Sequence, residues 1–437
     1  MKYSYPALNK TFWQLIGPSI VFVALSLSSG EIMLWPDMIG KYGLQILWLI
    51  PIVLILQVGV NLEIERYTIT TGKNILTGLI QKHGFLRYLF IQGVIFSLLW
   101  PGWISIAGNT LAVLLGANSY GNIFSAFLMM IVLTVWFHPK SYQIMEQVSK
   151  IGLFLIVITS AIVLFNNFKL DLILSSFKNI WIPTQSSDKL TYLAALAFGG
   201  TSGVLNLVYS HWVAAKKYGA TGIPFGNEID WNNPRSLINW QKWWKILVRE
   251  HLLIFYLGNL IGTITVGLVA VMTLGASPKT LSGFEIIRFQ INYLNNEGWN
   301  LGNFWGIGII ILFVMAQMTI LDAAGRLLSQ AFKVRKHDNL ILKWWHSHNN
   351  LSHLIGLLGL VVLVIGIFNS RVSQPAQLIQ ISATISAFLM VIYPIFILRI
   401  NSTELPLQTR PKLWNKVLVI TCSLFYGVAT IWTFFVK

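Results

Sequence analysis

The chain is predicted to be an all-α polytopic membrane protein, on three observations. Over half of its 437 residues are hydrophobic (55%) and only 11% are charged, well below the roughly 25% charged residues of a soluble domain. The apolar residues fall into long runs of about 20, the length a helix needs to cross the hydrocarbon, without the ten-residue alternation of an outer-membrane barrel. The 31 Lys and Arg residues are segregated among alternate loops, as membrane topology requires.

Eleven spans are expected, over about 12–38, 43–66, 86–115, 120–138, 149–169, 190–215, 247–273, 303–331, 351–369, 375–398 and 413–435. The N-terminus and even-numbered loops hold 23 of the Lys and Arg residues, and the odd-numbered loops and C-terminus hold 8. The positive-inside rule then places the N-terminus in the cytoplasm and the C-terminus outside, in a cytoplasmic (inner or plasma) membrane. The net charge of +16 is thereby explained without nucleic acid; the expected partners are the bilayer and a small ion or small-molecule substrate. The N-terminal sequence shows no small-residue cleavage site, so the first apolar segment is expected to be retained as a span.

One transport-sized membrane domain over 1–437 is expected, with a cytoplasmic loop over about 216–246 whose tryptophans suit the interface. The single cysteine, Cys422, excludes an intramolecular disulfide and a CxxC metal site and reads as packing. No Gly-rich phosphate loop, HExxH or nucleophile elbow occurs, so neither an enzyme nor a cofactor is expected.

Two spans are interrupted by small polar residues. Span one contains SLSSGEIMLWP over 26–36, and span six contains GTSGVLNL over 200–207. Five spans separate their starts, and interrupted helices at corresponding places in two halves point to an inverted-repeat secondary transporter with its site near the midplane. Spans one to five (about 12–169) and six to ten (about 190–398) would be the repeats, with about 413–435 an added helix. Broken helices expose backbone groups that a cavity or ligand must satisfy. Gly30, Gly199, Gly200 and Gly203 permit the required angles, while Ser28, Ser29, Thr201 and Ser202 can bond freed backbone or a substrate. Close helix packing by small residues is the competing account.

Glu31 lies near a helix centre, where a charged side chain costs roughly 2.5–3.5 kcal/mol on insertion scales and marks a functional site by default. It could hold a cation, carry a proton or pair with a basic group. His211 suits a proton relay or a packing role. Asp322 and Arg326 are spaced i, i+4 and can neutralise each other on one helix face. Glu63, Glu65 and Arg66 close span two, and Arg249, Glu250 and His251 open span seven, as interfacial anchors or gating pairs.

These residues resemble the Nramp family of proton-coupled divalent-metal transporters. Gly17-Pro18, Gly30, Tyr42-Gly43, Trp48, Arg66 and Thr71-Gly72-Lys73 match the spacing of the family's first two helices, and GTSGVLNLVYSH matches its sixth through Gly200, Tyr209 and His211. The resemblance implies a five-plus-five inverted repeat with helices 1 and 6 broken. It also implies a substrate site that includes Asn206 and Gln317, coupling through His211 and Asp322, and metal ligands at Ser28, Glu31 and the Thr201 carbonyl.

The departures fall on the chemistry. The DPGN positions read Ser28, Ser29, Gly30 and Glu31, the metal-binding Met is replaced by Val204 or Gly203, and the acidic pair of the third span is missing from LLWPGWISIAGNTL. Oxygen ligands without a thioether suit a hard cation such as magnesium over manganese or iron. The alternative is a small anion or zwitterion such as an amino acid, held by N–H groups at the two half-helix termini. A protein that senses or binds without transporting is a third reading.

Overall fold

The computed structural model describes residues 2–136, 141–167, 170–171, 186–223, 228–275, 281–296, 300–333, 346–369, 371–372 and 374–435. Among them, nine helices are long and apolar enough to cross a bilayer, and the pair Gly17–Glu31 and Leu34–Tyr42, bent by 44°, makes a tenth span. Ser186–Phe198 and Val204–Ala215 are each too short to cross alone and together form the eleventh, span 6. The expected ends of spans 4 and 5, at 138 and 169, lie outside the described residues.

The remaining spans are Leu44–Thr71 (span 2), Leu86–Leu114 (3), Asn118–Trp136 (4), Gln143–Phe165 (5), Pro234–Leu274 (7), Leu301–Lys333 (8), His348–Phe368 (9), Pro375–Glu404 (10) and Leu413–Phe435 (11). Span 1 packs on span 6, 2 on 7, 3 on 8 and 4 on 9, so repeat-equivalent helices meet in pairs around the centre. Short helices at Ile75–Lys82 and Phe284–Asn296 join spans 2 to 3 and 7 to 8, again at corresponding places. The architecture is the five-plus-five inverted repeat with broken helices 1 and 6.

Burial follows position. Spans 2 and 8 are the most enclosed, with 72% of their apolar windows buried. Phe127, Phe154, Phe165, Phe368 and Phe434 point outward as an apolar surface, where lipid takes the place of protein neighbours.

The stretch expected as a loop over 216–246 is half helix. Pro234–Glu250 runs without interruption into span 7, started by an Asn233 side chain that caps the Arg235 N–H at 3.0 Å with Pro at the first turn. Its tryptophans were expected at the membrane interface, yet Trp240 and Trp243 are buried. They serve a seal. Lys2–Tyr3 pairs in parallel with Glu228–Ile229, the Tyr5 hydroxyl donates to Ile69 O at 2.8 Å, and Trp243 Nε1 and Trp240 Nε1 donate to Pro6 O and Thr70 Oγ1 at 3.2 and 2.9 Å. The N-terminal strap thus closes the near face, defined as the face that carries residues 2–10.

Outside the spans, burial and the charges of Lys216 and Lys217 hold the Lys10 ammonium below its ordinary pKa, while its Nζ donates to the Lys216 carbonyl. On the opposite, far face, a cavity of about 520 Å³ is lined by Met33, Asp37, Asn109, Thr191, Gln374 and Gln380, among others. It reaches Met33, two residues beyond Glu31.

Candidate functional site

The interruption of span 1 takes a form the sequence did not indicate: Leu27–Glu31 is a π-helical turn, still wound, with Ile32 N–H bonded to Leu27 O at 3.1 Å. The bend follows at Ile32 and Met33, where Pro36 in the first turn of the next segment has no N–H to offer a preceding carbonyl. A π turn widens the helix and is often found at functional sites.

Both serine hydroxyls are spent inside this turn. Ser28 Oγ and Ser29 Oγ donate to the same Leu25 carbonyl at 2.8 and 2.7 Å, and Ser29 Oγ accepts from Trp103 Nε1 at 2.9 Å. Of the two uses expected of these hydroxyls, freed backbone or a substrate, this geometry has the first, with a buried indole added.

Span 6 does unwind. Gly200 and Gly203 take φ of +110° and +69°, conformations that L side chains rarely adopt. Gln57, buried on span 2, bridges the gap: its Oε1 accepts from Thr201 N–H at 2.7 Å and its Nε2 donates to Gly199 O at 3.3 Å and Tyr426 Oη at 3.1 Å. A lone glutamine in LIPIVLILQVGVNL was visible in the sequence, but its target on another helix was not.

The two breaks touch. A Cβ on Gly30 would stand 2.1 Å from the Phe198 carbonyl oxygen, so only hydrogen permits this backbone approach. Gly30→Ala is expected to destabilise the protein by about 3 kcal/mol or more, because backbone on both sides must move. Thermal denaturation in detergent measures it, and an unchanged midpoint would show that the helices part freely.

Glu31 sits at this crossing, 1% exposed. Its Oε1 accepts from Ser26 Oγ at 2.6 Å, from Gly200 N–H at 3.3 Å and from Thr263 Oγ1 of span 7 at 3.3 Å. Among the described residues its Oε2 has no hydrogen-bond partner. Ser26 and Thr263 were not singled out in the sequence; each looks like an ordinary small residue in an apolar run until the fold brings it to the carboxylate.

The other expected residues lie on the helices that flank this crossing. Thr201 Oγ1 donates to Phe22 O at 3.4 Å. Among the described residues, Ser202 Oγ is buried without a hydrogen-bond partner, as is Ser386 Oγ of span 10, which packs on Gly203. Asn206 Nδ2 donates to Asn61 Oδ1 at 2.8 Å and its own Oδ1 is unpartnered. Gln317 Oε1 accepts from Ile104 N–H at 3.4 Å, beside the Trp103 that binds Ser29.

His211 and Asp322 belong to a separate group nearer the near face. Asp322 Oδ1 accepts from Arg326 Nε at 2.6 Å and its Oδ2 from Trp212 Nε1 at 3.2 Å, so the carboxylate is neutralised by its i+4 partner. His211 lies beside Gln330, Arg326 and His348, with Nε2 unpartnered by geometry.

Among the described residues, no three His, Cys, Asp or Glu side chains converge on a point that could hold a metal ion. A divalent ion at this crossing would therefore have Glu31 as its one carboxylate ligand and neutral oxygens for the rest.

No protein-family profile matches the chain, and no curated protein does. Solved structures do. A variant of the Eremococcus coleocola manganese transporter superimposes with a TM-score of 0.68 at 13% identity, covering 100% of this chain and 91% of that one. MhsT in complex with L-phenylalanine gives 0.57 at 12% identity, covering 95% and 97%. MHP1, a nucleobase-cation-symport-1 family transporter, gives 0.55 at 12% identity, covering 95% and 92%. The chain has the broken-helix, inverted-repeat fold that these structures share, and its Nramp-like sequence pattern falls on that fold's first and sixth helices.

Proposed function

We propose that the protein is an alternating-access secondary transporter of a divalent metal cation, a hard ion such as magnesium in preference to manganese or iron. One observation carries this reading. The Gly200 N–H, which at a broken helix would attract an anionic ligand, is already given to Glu31, and the Thr201 N–H to Gln57. The protein's own carboxylate fills the anion position and presents Oε2 unpartnered. A cation satisfies that oxygen; a second anion would be repelled by it.

Of the ligands implied by the resemblance, Ser28, Glu31 and Thr201, we assign the charge to Glu31. The unpartnered oxygens of Ser202, Asn206 and Ser386 supply neutral donors at the same crossing. A set with one carboxylate and no thioether favours a hard ion that keeps part of its water. Access runs from the far-face cavity past Met33, with the near face closed by the N-terminal strap. With the N-terminus in the cytoplasm of a plasma or inner membrane, this is the state open to the outside.

A zwitterion is the second reading, supported by the same Oε2, which could receive an ammonium group. Thermal shift of the purified protein separates the two, since a ligand that binds the folded state raises its apparent stability. Magnesium or calcium is expected to raise the midpoint in a concentration-dependent way, with manganese weaker. Stabilisation by amino acids or small anions and no response to any divalent ion would replace the cation reading.

A further inference from the structure

Two more carboxylates are buried near the near face, away from Glu31. Glu65 of span 2 is fully buried and Glu250 of span 7 is 1% exposed, and among the described residues none of their four oxygens has a hydrogen-bond partner at bonding distance. Span 2 packs against the turn that begins directly after Glu250, and the two carboxylates are electrostatic neighbours. Arg66, next in sequence, gives no relief, because its guanidinium is turned to Glu63 at 3.0 Å.

The groups that face the pair from the surrounding helices are neutral or weakly basic. Tyr209 of span 6 neighbours both carboxylates, and Tyr5 of the strap neighbours Glu65. Ser19 of span 1 stands beside Glu250. Tyr209 Oη lies 3.3 Å from Ser19 Oγ and 3.4 Å from His251 Nδ1. His251 is itself fully buried with Nε2 unpartnered. Tyr209 therefore joins His251 to Ser19, which stands beside Glu250, in a run of exchangeable groups.

Local geometry adds a second observation. Among the described residues the chain has two π turns, Leu27–Glu31 and His251–Tyr256. One ends on Glu31, and the other begins directly after Glu250. Such turns recur at functional sites in helices.

Two carboxylates in a low-dielectric site without a cation cannot both be charged. Ser19, Tyr209 and His251 beside the pair carry hydroxyl and imidazole groups that pass protons. We propose that Glu65 and Glu250 form a shared proton site, distinct from Glu31 and from the His211–Asp322 group, with Ser19, Tyr209 and His251 as the exchangeable groups beside it. Glu65 lies six residues from the near end of span 2 at Thr71, about 9 Å along the helix. The site thus lies toward the near face, beneath the N-terminal strap. In transport it would couple proton movement to the cation cycle, an extension that rests on the functional reading above.

Infrared spectroscopy of the lipid-reconstituted protein tests the site without any substrate. In a Glu31→Gln background, a carbonyl band of a protonated carboxyl that shifts in heavy water is expected, and it should vanish when Glu65→Gln and Glu250→Gln are added. Absence of the band in the Glu31→Gln protein, or its persistence after both further changes, would overturn the proposal. Gln keeps the volume and removes the titrating proton, so these variants are expected to fold; the single variants provide the second readout. In proteoliposomes loaded with a pH-sensitive dye, each should keep divalent-cation stabilisation of the wild-type size while cation-driven proton movement drops at least tenfold. Unchanged proton movement in both would overturn the coupling role. If no divalent cation stabilises the wild type, the functional reading fails on its own, and the infrared band still decides the proton site.

Discussion

Glu31→Gln is expected to weaken divalent-cation binding by roughly a hundredfold, about 3 kcal/mol, with little loss of fold stability. The asymmetry comes from the two oxygens. Oε1 is a structural acceptor that receives Ser26 Oγ, Gly200 N–H and Thr263 Oγ1, and the carbonyl of a glutamine can accept from the same three donors. Oε2, unpartnered in the native chain, would be replaced by an NH₂ group that a cation cannot use. The variant should therefore melt within about 1 kcal/mol of wild type, as a volume-conserving change does, while its midpoint no longer rises with magnesium or calcium. Retained divalent stabilisation in Glu31→Gln would move the site elsewhere in the molecule.

The second large effect concerns the near-face end of span 2. Arg66 is 2% exposed and is held on four sides. Its Nε meets the Glu63 carboxylate at 3.0 and 3.2 Å, and Nη1 and Nη2 donate to Thr409 O and Asn415 Oδ1 at 3.0 and 3.2 Å. Its guanidinium lies 3.9 Å from the centre of the Trp244 ring, a cation–π contact. Asn401 of span 10 completes the acid's shell, with Nδ2 2.8 Å from Glu63 Oε2.

One guanidinium thus ties span 2 to the connection between spans 10 and 11, to span 11 and to the helical start of span 7. Arg66→Ala would leave Glu63 buried without its counter-charge, and breaking such a pair costs about 3–5 kcal/mol. Loss of monodisperse protein in detergent, or a large fall in the melting midpoint, is the expected result. Pairing Arg66→Met with Glu63→Gln should restore much of the loss, because the uncompensated charge is then gone. A single variant as stable as wild type would show that the carboxylate finds another partner.

How much of this was legible in the chain depends on range. Each span was visible as an apolar run, since hydrocarbon selects length and hydropathy locally. The paired breaks were visible because glycine and serine clusters are rare inside such runs. The Asp322–Arg326 pair was readable from its i, i+4 spacing, since both partners share a helix.

Interactions between helices were not readable in the same way. SSG looked like unwound backbone, but the widened turn and two hydroxyls on one carbonyl let the chain stay helical through Glu31. Gln57 as the bridge of the span 6 break, and Thr263 and Ser26 as donors to Glu31, depend on which helices the fold brings together. The near-face seal was hidden for a related reason: Trp240 and Trp243 have the composition of interfacial anchors, and only the docking of residues 2–6 turns them into a buried wall.

The central claim is that a broken-helix transporter has one carboxylate, Glu31, presented to a hard divalent cation. Flux of magnesium and of manganese into proteoliposomes, measured side by side with ion-sensitive dyes, tests it most directly. Saturable magnesium uptake that exceeds manganese uptake and is lost in Glu31→Gln is the result expected. Absence of divalent uptake in protein that exchanges an amino acid or a small anion would contradict it.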